Sequence, residues 1–265
     1  MKKILVIYAT AGIGHKKASL AVKQAIDEIA PKDAEVTIID SLDHTSPFFK
    51  WSYLESYLLM VGKLPVFWGL MYYFTDNRFV NMIVSKLRRL NNWIASGKFR
   101  MYLIDSKPDV IVSTHFFASE VISAMKKDGE LNSRLITVVT DYRLHSWWVN
   151  SGTDVYIVGS VEAKKDLLRW GTDGSKVKVI GIPVEPAFTK PLDKEAIANR
   201  LGLKKGVPVI LVLGGGFGVG PILEIVKTIE GIAAPMQILA ICGHNESLVK
   251  QLEAMKPSMN KNFNI

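Results

Sequence analysis

The chain opens on an unbroken apolar run, Lys2–Thr10 (KKILVIYAT), that ends in a glycine turn, Gly12-Ile13-Gly14. A run that is continuous rather than alternating reads as a strand covered on both faces, which points to a parallel sheet. Parallel strands need helical crossovers, and the sequence supplies them. A helix is expected over Lys16–Ile29, then a strand at Ala34–Leu42. Further strands are expected at Pro108–His115, Ser133–Asp141, Val155–Ser160 and Val177–Pro183, with helices over Ala118–Lys127 and Glu162–Trp170. Repeated βα units with right-handed crossovers predict a doubly wound α/β sheet. Three prolines within Pro183–Pro191 mark a boundary, and a helix is expected over Lys194–Leu201. A second series follows, with strands at Val207–Gly216 and Met236–Gly243 and helices over Pro221–Glu230 and Glu246–Met255. The chain therefore divides at residues 1–190 and 191–265. The second sheet is expected to be incomplete, since a Rossmann-type half uses more strands than this stretch provides.

Composition narrows the class of partner. With 265 residues, 48% apolar and 22% charged, the chain is globular material, and its one cysteine, Cys242, forms no internal disulfide. A reducing compartment follows. The apolar start leads directly into the glycine turn with no small-residue cleavage site, so it reads as a strand and not as a signal peptide. The net charge of +8 favours anionic partners. Pro47–Phe74 is crowded with aromatics, Trp51, Phe67 and Trp68 among them, and Arg78–Lys107 carries seven Lys/Arg, including Arg88 and Arg89, against the single acid Asp105. An aromatic stretch beside a basic one suits a protein lying on a lipid surface; a pair of core-packing helices is the alternative. The longest apolar stretch, Leu58–Phe74, is interrupted by Lys63 and Pro65, so no transmembrane helix is expected.

Three constellations carry chemistry. Thr10-Ala11-Gly12-Ile13-Gly14-His15 lies between a strand and a helix, at the carboxyl edge where open α/β sheets bind ligands. Lys17 stands where a dinucleotide fingerprint needs its third glycine, and Asp40 is the candidate for a ribose-binding acid. His15 is there either a general base or a helix cap. Gly214-Gly215-Gly216-Phe217-Gly218 follows an apolar strand and offers backbone amides to a diphosphate, but lacks the Gly-Lys-Ser/Thr of a P-loop. Thr140-Asp141 with His145, Trp147 and Trp148 ends a central strand on the same edge as His15, and His115 ends another. Each of these is a site residue or a structural one. Tryptophans there suit a sugar or a lipid. No metal cluster, nucleophile elbow or kinase signature is present, and no nucleic-acid-binding pattern.

These motifs together resemble the monogalactosyldiacylglycerol synthase and processive diacylglycerol glucosyltransferase family. Ala11-Gly12-Ile13-Gly14-His15 is similar to its glycine–histidine signature, and Thr140-Asp141 with His145 and Trp147 to its Thr-Asp…His…Trp stretch. Gly181-Ile182-Pro183-Val184 with Phe188, Gly214–Gly218 and Cys242-Gly243-His244-Asn245 resemble three further elements, so the likeness runs from Ile4 to about Met255. The resemblance implies a GT-B fold of two Rossmann-like domains with parallel sheets, the second incomplete. It implies inverting transfer of a hexose from a UDP-sugar to diacylglycerol, or to its glycosylated product, with His15 and Asp141 as the catalytic pair. Gly12, Gly14, His115, His145 and Trp147 would stand on the acceptor side, and Gly214, Gly215, Gly216, Phe217 and Gly218 would hold the donor phosphates. Trp51, Phe67, Trp68, Arg88 and Arg89 would meet anionic lipids at the inner face of the cell membrane, with the chain cytoplasmic and peripheral. No cofactor beyond the UDP-sugar co-substrate is implied, and no metal. Two rivals are an N-acetylglucosaminyl transferase of peptidoglycan precursor assembly and a non-catalytic fragment that binds membrane surfaces.

Overall fold

The structure, a computed structural model, describes residues 1–258 and 262–265. It falls into two compact units, Met1–Thr189 and Lys190–Ile265. In the first, strands β1 (Lys2–Tyr8), β2 (Ala34–Asp40), β3 (Val110–Ser113), β4 (Arg134–Val138), β5 (Val155–Val158) and β6 (Val177–Val179) form a six-stranded sheet. The order is β2-β1-β3-β4-β5-β6 and every pairing is parallel. The unbroken apolar run of β1 has its reason here. Leu5 and Ile7 enter one buried cluster with Ile111 and Leu135, while Val6 enters another, with Val112 and Val138. Helix α1 (Ile13–Ile29) lends Val22 to the second cluster.

Where one crossover helix would serve between β2 and β3, the chain builds four: α2 (Pro47–Gly62), α3 (Pro65–Thr75), α4 (Arg78–Ala95) and α5 (Gly97–Ser106). Ser46 caps α2 by accepting from the Phe49 amide at 3.1 Å, Pro65 starts α3, and Asn77 caps α4 through the Phe79 amide at 3.0 Å. Helices α2 and α3 meet at a bend of 110°, and among the described residues no single helix is long and apolar enough to cross a membrane. The aromatic stretch divides its labour. Phe49 and Tyr53 pack on the core beside Phe117, whereas Phe48, Trp51, Phe67, Tyr73 and Phe74 are exposed. Helix α4 is inverted: its buried positions are the polar Ser85 and Asn92, while Phe79, Met82, Ile83, Leu87, Leu90 and Ile94 form an exposed apolar stripe. Helices α6 (Phe116–Lys127) and α7 (Val161–Arg169) complete the unit.

The second unit holds α8 (Lys194–Arg200), β7 (Val209–Leu213), α9 (Ile222–Glu230), β8 (Gln237–Ile241), α10 (Glu246–Met255) and β9 (Asn262–Asn264), with its parallel sheet in the order β7-β8-β9. Strand β9 falls where sequence periodicity gives no strand, being three residues long and polar at both ends.

The glycine loop after β7 corrects an expectation. Its glycines predict backbone amides open to a diphosphate, yet the Gly214 amide donates to the Ile241 carbonyl at 3.0 Å and the Gly218 amide to the Gly215 carbonyl at 3.3 Å. The loop is laced to its neighbour by His244 N–H donating to the Gly216 carbonyl and by the Asn245 side-chain amide donating to the Gly218 carbonyl. Only the amides of Gly215, Gly216 and Phe217 are left without such a bond among the described residues. At Gly218 the backbone sits at φ +59°, and a Cβ would fall 2.0 Å from the Cys242 carbonyl oxygen. At Gly215, φ +64°, a Cβ would meet nothing within 4 Å. Gly215→Ala therefore costs about 1–2 kcal/mol for the left-handed backbone alone, and Gly218→Ala costs clearly more. Denaturant unfolding of the two variants reads this difference; equal losses would show that the two loops do not interlock.

Candidate functional site

Strand order reverses at β1, whose neighbours β2 and β3 are reached by crossovers in opposite directions. At such a switch point the loops leaving the carboxyl ends part and open a crevice. Here the strands stop early. β1 ends at Tyr8, β3 at Ser113 and β4 at Val138, so Thr10–Gly12, Thr114–His115 and Val139–Asp141 are loop residues grouped at one edge. Over them lies a cavity of ≈ 770 Å³, roofed by side chains from α2, α3 and α4. It is lined by His15 and Asp141 together with His115, His145 and Trp147, and by Tyr57, Trp68 and Arg88 from the inserted helices.

Helix α1 starts three residues earlier than its apolar pattern indicates, which sets His15 in its first turn. Gly12 holds φ +112°, a conformation that favours glycine, whereas a Cβ on Gly14 would meet nothing within 4 Å. The His15 Nδ1 lies 2.7 Å from the Thr114 carbonyl oxygen and 3.0 Å from the Thr140 hydroxyl. A carbonyl only accepts, so Nδ1 carries the proton and Nε2 keeps its lone pair. Burial pushes the His15 pKa below the ordinary histidine value, against the Thr114 bond and the charge of Asp141, which both favour the imidazolium. The ring is thus neutral at pH 7, the state a base requires. Asp141 accepts from the Trp148 indole N–H at 2.8 Å, so it anchors that tryptophan as well as lying within the electrostatic reach of His15.

The other two histidines of the edge line the same cavity but use their ring nitrogens structurally. His115 caps α6, its Nδ1 accepting from the Phe117 amide at 3.2 Å, and stands edge-on to His15 with ring centroids 4.6 Å apart. His145 accepts from the Trp147 amide at Nδ1 and lies with Nε2 3.0 Å from the Tyr72 carbonyl, pinning the end of α3. Asp40 is not a ribose-binding acid. It is buried, taking bonds from the Leu42 amide at 2.9 Å and from Thr10. No group of His, Cys, Asp and Glu among the described residues is placed to hold a metal.

Two residues expected at a lipid surface lie elsewhere. The Arg88 guanidinium is only 15% exposed, held 2.6 Å from the Glu120 carboxylate and 5.5 Å from the centre of the Trp147 ring. Trp68 is half-buried, lining the cavity near Tyr72 and Trp147. Trp51, Phe67 and Arg89 are exposed. The sequence reading missed the apolar stripe of α4, although its spacing at Phe79, Met82, Ile83, Leu87 and Leu90 is the helical signal itself. It also gives no site role to Tyr57, one of the aromatics of Pro47–Phe74, or to Glu120, for which no local pattern exists.

Comparison with known proteins bears on this arrangement. Residues 15–184 match the family described as "Monogalactosyldiacylglycerol (MGDG) synthase". A probable chloroplastic monogalactosyldiacylglycerol synthase of Glycine max is 30% identical over 272 residues, covering 96% of this chain and 49% of its own. A processive diacylglycerol beta-glucosyltransferase of Staphylococcus epidermidis is 26% identical over 258 residues, with 96% and 63% covered. The chain thus spans between about half and two thirds of the length of these relatives. Among solved structures, Staphylococcus aureus MnaA with UDP aligns at a TM-score of 0.58 and 13% identity, over 100% of this chain and 69% of that one. Acinetobacter baumannii MurG aligns at 0.51 and 14% identity, over 100% and 65%. These likenesses bear on the fold alone, which is of the GT-B type expected from the sequence.

His15, His115 and His145 all have pKa values lowered by burial. Below the ordinary value near 6.5 the unfolded chain takes up protons that the folded chain resists, so stability falls as the pH drops from that value. Urea midpoints measured from pH 8 to pH 5 are expected to fall mainly below pH 6.5. His115→Asn, which keeps a capping oxygen, flattens the fall; an unchanged slope in that variant would show that His115 does not contribute.

Proposed function

The chain belongs to the monogalactosyldiacylglycerol synthase family, and on that premise we propose that it takes part in glycolipid synthesis, as the acceptor-binding part of a glycosyltransferase acting on diacylglycerol. The observation that carries this reading is the cavity: a neutral histidine at the sheet edge faces a ≈ 770 Å³ space walled by aromatics. A glycerolipid needs an apolar wall for its acyl chains and a base for its hydroxyl, and both are present within one unit.

The chemistry follows from those groups. The acceptor hydroxyl is a weak nucleophile. His15 Nε2 takes its proton as the oxygen bonds to the anomeric carbon of a UDP-hexose, while the bond from that carbon to the diphosphate breaks from the opposite side, inverting the centre. The Thr114 carbonyl holds the other nitrogen protonated throughout. Asp141 stabilises the imidazolium that results. The amides of Gly215, Gly216 and Phe217 are the donor-phosphate contacts the second unit offers under this proposal. An N-acetylglucosaminyl transferase of peptidoglycan assembly has only the fold likeness to MurG in its favour.

Diacylglycerol stays in its bilayer, so the cavity has to come to it. The exposed stripe of α4 and the aromatics of α2 and α3 are the surface we assign to that contact, with Lys86, Arg89 and Lys98 supplying exposed charge for anionic lipid at the cytoplasmic face. Each large apolar side chain inserted contributes about 1.5–3 kcal/mol. Co-sedimentation with phosphatidylglycerol vesicles is expected to weaken with salt and to fall at least tenfold in Phe74→Ser/Phe79→Ser. Binding that ignores these substitutions would remove the surface from the account. In transfer from a UDP-hexose to dioctanoylglycerol, His15→Ala is expected to lower turnover about 10²- to 10⁴-fold, with little change in the Michaelis constant for the donor. The acidic limb of the wild-type profile should lie below pH 6.5. Wild-type turnover in His15→Ala would reduce the histidine to a helix cap.

A further inference from the structure

Arg88 lines the cavity; its Nε and Nη1 are buried without a hydrogen bond, and its Nη2 donates none to a described residue. Its one charged contact among the described residues, Nη1 to the Glu120 Oε2 at 2.6 Å, is ionic in placement but not aligned as a hydrogen bond. Glu120 is itself 5% exposed and steadied by the Asn92 side-chain amide, which donates to Oε1 at 3.2 Å. The Trp147 ring lies 5.5 Å from the guanidinium carbon. The side chain is therefore held by its charge and by its flat face, with Nε and Nη1 enclosed and Nη2 left to meet a group in the cavity. Guanidinium groups carry five donors, and leaving them unmatched inside a protein is costly.

The charge balance restricts what such a group can bind. Glu120 already neutralises Arg88, so a phosphate entering the cavity would face a paired carboxylate as well as the cation. A neutral oxygen meets no such opposition. Together with the aromatic wall formed by Trp68, Tyr72 and Trp147, this describes a site for an uncharged, oxygen-bearing group at the polar end of an apolar molecule. The carbonyl oxygens of a glycerolipid's esters fit that description.

We infer that Arg88, poised by Glu120 and Trp147, is the specificity-determining residue of the acceptor cavity and donates to an ester carbonyl of the glycerolipid. The inference rests on the acceptor reading of the cavity given above. It separates from that reading because it concerns one functional group of the ligand. A diether analogue keeps the glycerol hydroxyl and the alkyl chains but has no carbonyl to accept.

Calorimetric titration of the 265-residue chain with dioctanoylglycerol and with its dioctyl ether analogue tests this directly. Wild type is expected to bind the diester about tenfold more tightly, the scale of one hydrogen bond from a charged donor. In Arg88→Met/Glu120→Gln both charges are removed together, so no ion is left buried alone. That variant is expected to bind the two lipids equally, with the diether affinity of wild type retained. Arg88→Lys, which keeps a charged donor, should recover part of the preference. Equal binding of diester and diether by wild type overturns the assignment of Arg88 while leaving the acceptor cavity standing. A double variant that keeps the tenfold preference also overturns it, reducing the ion pair to a clamp between α4 and α6. Binding of neither lipid by wild type removes the acceptor reading and this inference with it.

Discussion

The hydrogen bond from His15 Nδ1 to the Thr114 carbonyl, 2.7 Å long, joins the first turn of α1 to the loop after β3, across the reversal of strand order. The helix follows β1 and the loop leaves β3, and the bond fixes both the position of the imidazole and its tautomer. The Thr114 hydroxyl adds to the same knot, lying 2.9 Å from the His15 carbonyl oxygen and 2.9 Å from the Ser19 hydroxyl. A main-chain carbonyl cannot be protonated or rotated away as a side chain can. The lone pair on Nε2 is therefore a consequence of the sheet's topology and not of a removable partner.

The inserted helices depend on that edge in turn. The end of α3 is fastened by His145 to the Tyr72 carbonyl, and Asp76 accepts from the Ser146 amide at 2.9 Å and from Arg169 at 3.0 Å. Helix α4 is fastened by Arg88 and Asn92 to Glu120 on α6. Polar contacts thus hold α4 from inside while its apolar stripe faces out. This reverses the usual amphipathic order. Such a helix gains little from burying its own apolar stripe, and its placement rests on a few buried polar bonds whose loss is costly.

The sheet was legible because its signal is local. Continuous apolar strands and glycine turns place the starts of β1, β2 and β4 within a residue and overrun their ends by two or three, and they put His15, His115 and Asp141 at one edge. The cavity was not legible, because its walls come from residues far apart in the chain, such as Tyr57, Arg88 and Trp147. Arg88 and Arg89 are neighbours of the same chemical type, and only the three-dimensional position of Glu120 makes one an interior ion and the other a surface base. The glycine loop misled for a related reason. Five glycines in seven residues suggested free amides, whereas Gly218 answers the close approach of the Cys242 carbonyl.

The central claim is that the acceptor hydroxyl meets His15 inside this cavity. A crystal structure of the chain soaked with dioctanoylglycerol tests it most directly. The account predicts the glycerol hydroxyl oxygen within hydrogen-bond distance, about 2.6–3.2 Å, of His15 Nε2, with the acyl chains along Trp68, Tyr72 and Trp147. A lipid bound with its hydroxyl away from His15, or with its chains outside the aromatic wall, would contradict it.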